Sequence, residues 1–211
     1  MKNTKDKISL VYKFLILVIT AIGLYLNFKI ADPKKMILYF TMISNILVLL
    51  FYIYDIYVYI FKDSARSEKY YILKGMTIIM VCMTMIIYWL LIGQNNMGIY
   101  TDNKMECRFV HLYIPLLTMF DYILFAKKGN LKYHYAPIWS INIVLYAIFV
   151  YTYSFLGGRF INDAKVPYSF MNIDKLGLLK VSALGITIYI MYVIISLLVI
   201  KLDKVLGGKN G

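Results

Sequence analysis

The chain has 211 residues, 61% of them hydrophobic and 16% charged, with a mean hydropathy of +0.69 and a formal net charge of +12. A soluble domain carries roughly 45–50% apolar and about 25% charged residues. A water-soluble fold of this size could not hide so much apolar surface, which excludes an ordinary soluble globule and makes lipid the solvent for most of the chain.

Six continuous apolar runs follow in order. The first is predicted from Ile8 to Phe28, the second from Met36 to Phe61 and the third from Tyr70 to Gly93. The fourth runs from Arg108 to Ala126, the fifth from His134 to Leu156 and the sixth from Leu176 to Ile200. Each has roughly the 20 residues that ~30 Å of hydrocarbon requires. The runs are continuous rather than alternating, which argues against a β-barrel. Lys2, Lys5 and Lys7 before the first run imitate a signal peptide, but the run is long and no Ala-x-Ala site follows, so it is read as a retained helix. The expectation is an all-α, polytopic transmembrane bundle of six helices, forming a single membrane domain over residues 1–211.

A basic excess at helix ends needs no nucleic acid to explain it. Lys and Arg hold loops on the cytoplasmic side and meet anionic lipid there. Fourteen of the 23 basic residues flank the side where the first helix starts, among them Lys2, Lys62 and Lys209, and nine, among them Lys104, flank the other. The bias predicts a plasma-membrane protein with both ends of the chain cytoplasmic. Membrane lipids are the expected partners. The sequence does not set an oligomeric state. Cys82 and Cys107 are expected at different depths, too far apart for a disulfide. No Cys/His spacing suits a metal, and no phosphate-cradling glycine loop or cofactor motif is present.

Polar residues inside spanning helices are costly and fall at two depths. Near one surface, Thr41 lies about 9 Å below Lys35 at ~1.5 Å rise per residue, with Ser44 and Asn45 on the same helix face. His111 lies about 4–5 Å below Arg108, so Thr41 and His111 share a depth. The long connection from Gly157 to Lys175 closes over that side. Near the other surface, Asp55, Asp121 and Lys13 each lie roughly 9–10 Å inside the boundary. A structural cluster of these three, helped by tyrosines, is the simpler reading, and a proton or ion path is the other. The upper group also has two readings. A membrane Thr commonly bonds back to its own helix, and Asn and Ser glue helices together. Alternatively, a hydroxyl nucleophile needs a base that works at neutral pH, and His is that base. His134, beside Lys128 and Lys132, belongs to the opposite surface and is read as interfacial.

Three segments carry a resemblance. Tyr39-Phe40-Thr41-Met42-Ile43-Ser44-Asn45 resembles the second-helix signature of the bacterial six-pass membrane proteins called Pr6Pr. His111-Leu112-Tyr113-Ile114-Pro115, followed by Asp121-Tyr122-Ile123-Leu124-Phe125, resembles their His-x-x-x-Pro and Asp-Trp-Leu-Leu-Phe segment. Pro167-Tyr168-Ser169-Phe170-Met171-Asn172 resembles their Tyr-Pro-Tyr-Pro-Phe-Leu-Asp loop. Val166, Ser169, Asn172 and Tyr122 depart from those motifs. The family looks related to the androgen-induced membrane threonine hydrolases of animals, which cleave fatty acid esters of hydroxy fatty acids. The resemblance implies Thr41 as nucleophile and His111 as base, although the gap from His111 to Pro115 is one residue shorter than in the animal proteins. A lipid ester is then the implied substrate, with Ser44, Asn45, Tyr113 or Tyr168 as candidates to touch it or its oxyanion. Two other classes fit the same composition: a small transporter or channel using Asp55 and Asp121, and a membrane scaffold whose buried polar groups are merely packed.

Overall fold

The computed structural model describes residues 4–61, 66–92 and 105–208. Lys2, Lys62, Lys104 and Lys209 from the charge count, and Gly93 at the expected end of the third helix, lie outside the described residues. Regular structure among the described residues is helical throughout. Six helices are long and apolar enough to cross a membrane: α1 (Thr4–Phe28), α2 (Phe40–Phe61), α3 (Glu68–Ile92), α4 (Met105–Phe125), α5 (Tyr135–Phe155) and α6 (Leu178–Gly207). The protein is therefore a multi-pass membrane protein. In hydrocarbon every backbone N–H and C=O must be paired within its own segment, and a helix does this for any apolar sequence.

The boundaries differ from the expected ones where local chemistry intervenes. α1 starts at Thr4, ahead of the apolar run, because the lysines there do not oppose helix outside the hydrocarbon. α6 starts at Leu178, after Gly177 takes φ 78, and runs on to Gly207, past Ile200. Ser67 accepts the Tyr70 N–H and caps the start of α3. α3 and α4 are not regular. Each contains one π turn, Tyr88–Ile92 in α3 and Phe109–Tyr113 in α4.

α1 shows how each helix is turned. Ser9, Lys13, Ile16, Thr20, Gly23 and Asn27 face inward at intervals of three and four, whereas Val11, Leu15, Val18, Ile22 and Tyr25 face outward. Its polar side chains are inside and its apolar ones outside, as lipid solvent demands. α3 is the central helix, with 67% of its apolar window buried against 22% in each of α5 and α6. α1 packs on α2 and α4, α2 and α4 both pack on α3, and α5 pairs with α6 across the remaining side of α3. Two free cysteines, Cys82 and Cys107, are buried on α3 and α4.

The α3–α5 contact depends on one glycine. A Cβ at Gly75 would fall 2.0 Å from Cζ2 of Trp139. The Trp139 ring is fully buried, and its Nε1 donates to the Ile72 carbonyl at 2.8 Å. Gly75→Ala is expected to force that ring out of place at a cost of about 1–3 kcal/mol, read as a lower thermal midpoint in detergent. Gly185→Ala is the control, because its Cβ meets nothing within 4 Å. A control that falls as far as Gly75→Ala would remove the steric explanation.

Candidate functional site

α2 begins at Phe40 and α4 turns through a π bulge at Phe109–Tyr113, and these two irregular points meet. Thr41 Oγ1 lies 3.2 Å from His111 Nε2, both residues being buried. The other membrane threonines behave differently. Thr20, Thr77, Thr84 and Thr118 each donate to the carbonyl four residues back. Thr41 is turned instead toward an imidazole on another helix.

The proton on His111 follows from its other nitrogen. Nδ1 lies 3.1 Å from the Cys107 carbonyl oxygen and 3.4 Å from its Sγ. A carbonyl can only accept, so Nδ1 carries the hydrogen. Nε2 is then bare and accepts the Thr41 hydroxyl proton. A backbone carbonyl thus holds the tautomer here, where a carboxylate often does.

The π turn has a local cause. The Ile114 N–H bonds the Phe109 carbonyl five residues back. Pro115 comes next and has no N–H to offer. Its missing donor would have served Val110 in the π pattern or His111 in the α pattern. Both carbonyls are taken by side chains from neighbouring helices. Asn45 Nδ2 donates to Val110 O at 3.3 Å, and Trp89 Nε1 donates to His111 O at 3.2 Å. The Tyr88 ring stacks on His111 at 4.0 Å. The His111 imidazole is therefore fixed at its ring face, its Nδ1 and its backbone.

Ser44 and Asn45 fix Thr41 in the same way. Ser44 Oγ donates to Thr41 O at 2.9 Å and sits 3.0 Å from Thr84 Oγ1. Asn45 Nδ2 donates to Thr41 O at 2.7 Å as well as to Val110 O. Both side chains spend a donor on the Thr41 carbonyl, which leaves them less suited to the oxyanion role considered for them. Asn45 spans the Thr41 turn and the His111 turn. Tyr113 is not brought to Thr41. Its ring meets Phe109 edge-on at 5.5 Å, because the π turn carries it to another face of α4.

Tyr168 does reach the site, from the loop before α6. The first N–H groups of α2 have no helical acceptor, and two phenols take their place. Phe40 N–H donates to Tyr146 Oη at 3.1 Å, and Thr41 N–H donates to Tyr168 Oη at 3.4 Å. Burial pushes the Tyr168 phenol up from its usual pKa, so it stays a neutral donor. Thr41, Tyr168, Tyr146 and Thr84 form the polar corner of a cavity of about 570 Å³. The remaining walls are largely apolar and come mainly from α5, α6 and the loop, including Ile143, Ala147, Phe170, Met171 and Ile188.

Tyr88, Trp89, Cys107 and Tyr146 were not singled out from sequence. Aromatics at helix ends read as interfacial belts, and a cysteine four residues before a histidine carries no signal without the π turn. His134 lies at the other end of the bundle with an exposed side chain, 3.6 Å from Glu68 Oε1.

At that other end Lys13, Asp55 and Asp121 meet as expected, joined by two further cations. Lys13 Nζ contacts Asp55 Oδ2 at 2.6 Å and Asp121 Oδ1 at 3.2 Å. Lys74 Nζ contacts Asp121 Oδ2 at 3.1 Å, and Arg66 Nη1 contacts Asp55 Oδ1 at 3.3 Å. Tyr70 and Tyr52 hydroxyls donate to Asp55 and Asp121 at 2.9 Å and 3.0 Å. Arg66 and Lys74 carry no sequence signal of this role, because a basic residue near a helix end usually snorkels outward.

No family model, curated protein or solved structure matches this chain. Among the described residues no group of His, Cys, Asp and Glu is arranged to hold a metal ion.

Removing a buried partner leaves an uncompensated charge, at about 3–5 kcal/mol. Asp121→Asn strips Lys13 and Lys74 of a shared carboxylate and is expected to lower the thermal midpoint steeply in detergent. A midpoint unchanged from wild type would show that the network does not hold α1 to α4.

Proposed function

We propose that the protein is an intramembrane esterase with Thr41 as nucleophile and His111 as general base. The observation that carries this reading is the 3.2 Å contact between Thr41 Oγ1 and a bare His111 Nε2, with Thr41 in the wall of a lipid-sized, largely apolar cavity and His111 behind it. His111 Nε2 takes the Thr41 hydroxyl proton as Oγ1 attacks the ester carbonyl carbon. The tetrahedral intermediate collapses by breaking the bond to the alcohol oxygen, and His111 returns the proton to that leaving group. Water then attacks the acyl-threonine, with Nε2 taking its proton and returning it to Thr41 Oγ1 as the acyl–Oγ1 bond breaks, which releases the fatty acid. The Tyr168 phenol and the Thr41 amide stand beside the nucleophile and are the proposed oxyanion donors.

The apolar walls favour a long acyl chain, so the substrate class is a fatty acyl ester, with fatty acid esters of hydroxy fatty acids as the resemblance suggests. We also propose kinship with the six-pass bacterial family and the animal threonine hydrolases, on the match of Thr41 and His111 to their motifs. The basic flanks favour a plasma-membrane location with the start of α1 and the end of α6 cytoplasmic. A transport reading through Asp55 and Asp121 is less well supported: both are engaged by cations and tyrosines, and the cavity at that end shares no wall residue with the apolar one.

The test is hydrolysis of long-chain esters, including branched fatty acid esters of hydroxy fatty acids, by the purified protein in detergent. Thr41→Ala and His111→Ala are expected to abolish turnover, while His134→Ala retains it. Tyr168→Phe is expected to lower kcat by about 10²–10³, the usual loss for one oxyanion donor. Folded wild-type protein without turnover, or Thr41→Ala with full turnover, would sink the hydrolase reading.

A further inference from the structure

At the end of the bundle where α1 begins and α6 ends, a second cavity of about 160 Å³ opens beside the buried ions. Its character is opposite to that of the apolar cavity, since Lys13, Arg66, Lys74 and Lys127 all contribute to its wall. Its volume equals roughly five waters at about 30 Å³ each, enough for a small tetrahedral anion.

The ions beside it do not cancel. Lys13, Lys74 and Arg66 face two carboxylates, Asp55 and Asp121. Lys127 and Asp6 at the wall offset one another. Lys128 and Asp203 lie just behind. Lys128 is held on the Tyr122 and Ala126 carbonyls, and Asp203 accepts from the Tyr122 hydroxyl and the Leu131 N–H. Burial, followed by the Lys74 charge, brings Lys128 down to about 8, although Asp203 and Asp121 act against the shift. Among the described groups the cations at this wall outnumber the carboxylates, in a place where uncompensated charge is expensive.

Unused donors point to the same place. Arg66 Nη1 is a buried nitrogen with no hydrogen-bond partner among the described residues, since its contact with Asp55 is off the hydrogen-bonding line. Its guanidinium lies over the Tyr70 ring at 4.5 Å, which fixes the plane of the fork. Lys74 uses one of its three donors on Asp121. A fixed guanidinium and an ammonium aimed at one small cavity form an arrangement suited to a phosphate oxygen pair.

We propose that this cavity binds one phosphate group carrying a single negative charge, either the phosphodiester of a lipid headgroup or free inorganic phosphate. The cationic wall favours an anion, the volume has room for a single phosphate group, and the position at the mouth of the bundle is where headgroup phosphates lie. The occupied site ties α1, α3 and the α4–α5 connection together, so binding stabilises the fold at the end remote from Thr41.

Thermal unfolding of the delipidated protein in a neutral detergent tests this. The additives are phosphatidylglycerol, phosphatidylcholine at equal mole fraction, and sodium phosphate against sodium chloride at equal ionic strength. Phosphatidylglycerol is expected to raise the midpoint in wild type and in Lys201→Gln, a control that alters an exposed lysine outside the cavity wall. Arg66→Gln and Lys127→Gln are expected to need roughly tenfold more lipid for half the shift, the loss of one charge-assisted hydrogen bond. Phosphatidylcholine should act more weakly, because its choline adds a cation to a cationic site. A shift by sodium phosphate that also depends on Arg66 assigns the site to free phosphate as well, and a shift by lipid alone assigns it to the headgroup. No shift from either additive, or a shift equal in wild type and in both cavity variants, overturns the proposal. Since it does not involve Thr41 or His111, it stands or falls independently of ester hydrolysis.

Discussion

Lys13, reaching from α1 to Asp55 on α2 and Asp121 on α4, is the contact on which the bundle most depends. In lipid an apolar side chain gains little by leaving its solvent for a neighbouring helix, so association rests on packing and on polar groups that have no other partner. An ammonium in that setting has few alternatives to a carboxylate. Lys74 adds α3 to the same carboxylate, and the Tyr52 and Tyr70 hydroxyls occupy the remaining acceptors. Four helices are thereby tied at one end. Their other ends can then diverge from ideal geometry without the bundle coming apart.

That divergence is what builds the site. Pro115 withholds an N–H, the preceding turn widens to a π turn, and two carbonyls are left for Asn45 and Trp89. The widened turn carries His111 inward, and the Cys107 carbonyl sets its tautomer. On the facing helix the first turn of α2 has its own unpaired donors, which the Tyr146 and Tyr168 phenols satisfy. Thr41 therefore sits where two helix irregularities meet, with its hydroxyl directed at the His111 imidazole. A regular helix in either place would leave the two side chains on unrelated faces.

The α5–α6 pair has a separate role. It touches the rest through α3, with Trp139 seated against Gly75, and leaves a long apolar gap above Phe40 and Thr41. Little of either helix is buried. The cavity wall on that side is thus a pair of lipid-facing helices, open toward the bilayer rather than toward water.

Some of this could be read directly from the chain. Continuous apolar runs settle the six spans, because only helix satisfies the backbone in hydrocarbon. Rise along a helix axis is also nearly invariant, so counting from the flanking charges placed Thr41 level with His111, and Lys13 level with Asp55 and Asp121. Position around the axis is a different matter, since it depends on which helix lies next to which. The turning of Ser44 and Asn45 toward a carbonyl, the removal of Tyr113 to another face, and the recruitment of Lys74, Arg66, Tyr88 and Trp89 all depended on that second coordinate. Tertiary structure alone decided it, because a polar side chain in a membrane helix points to whichever neighbour can satisfy it, and that neighbour is distant in sequence.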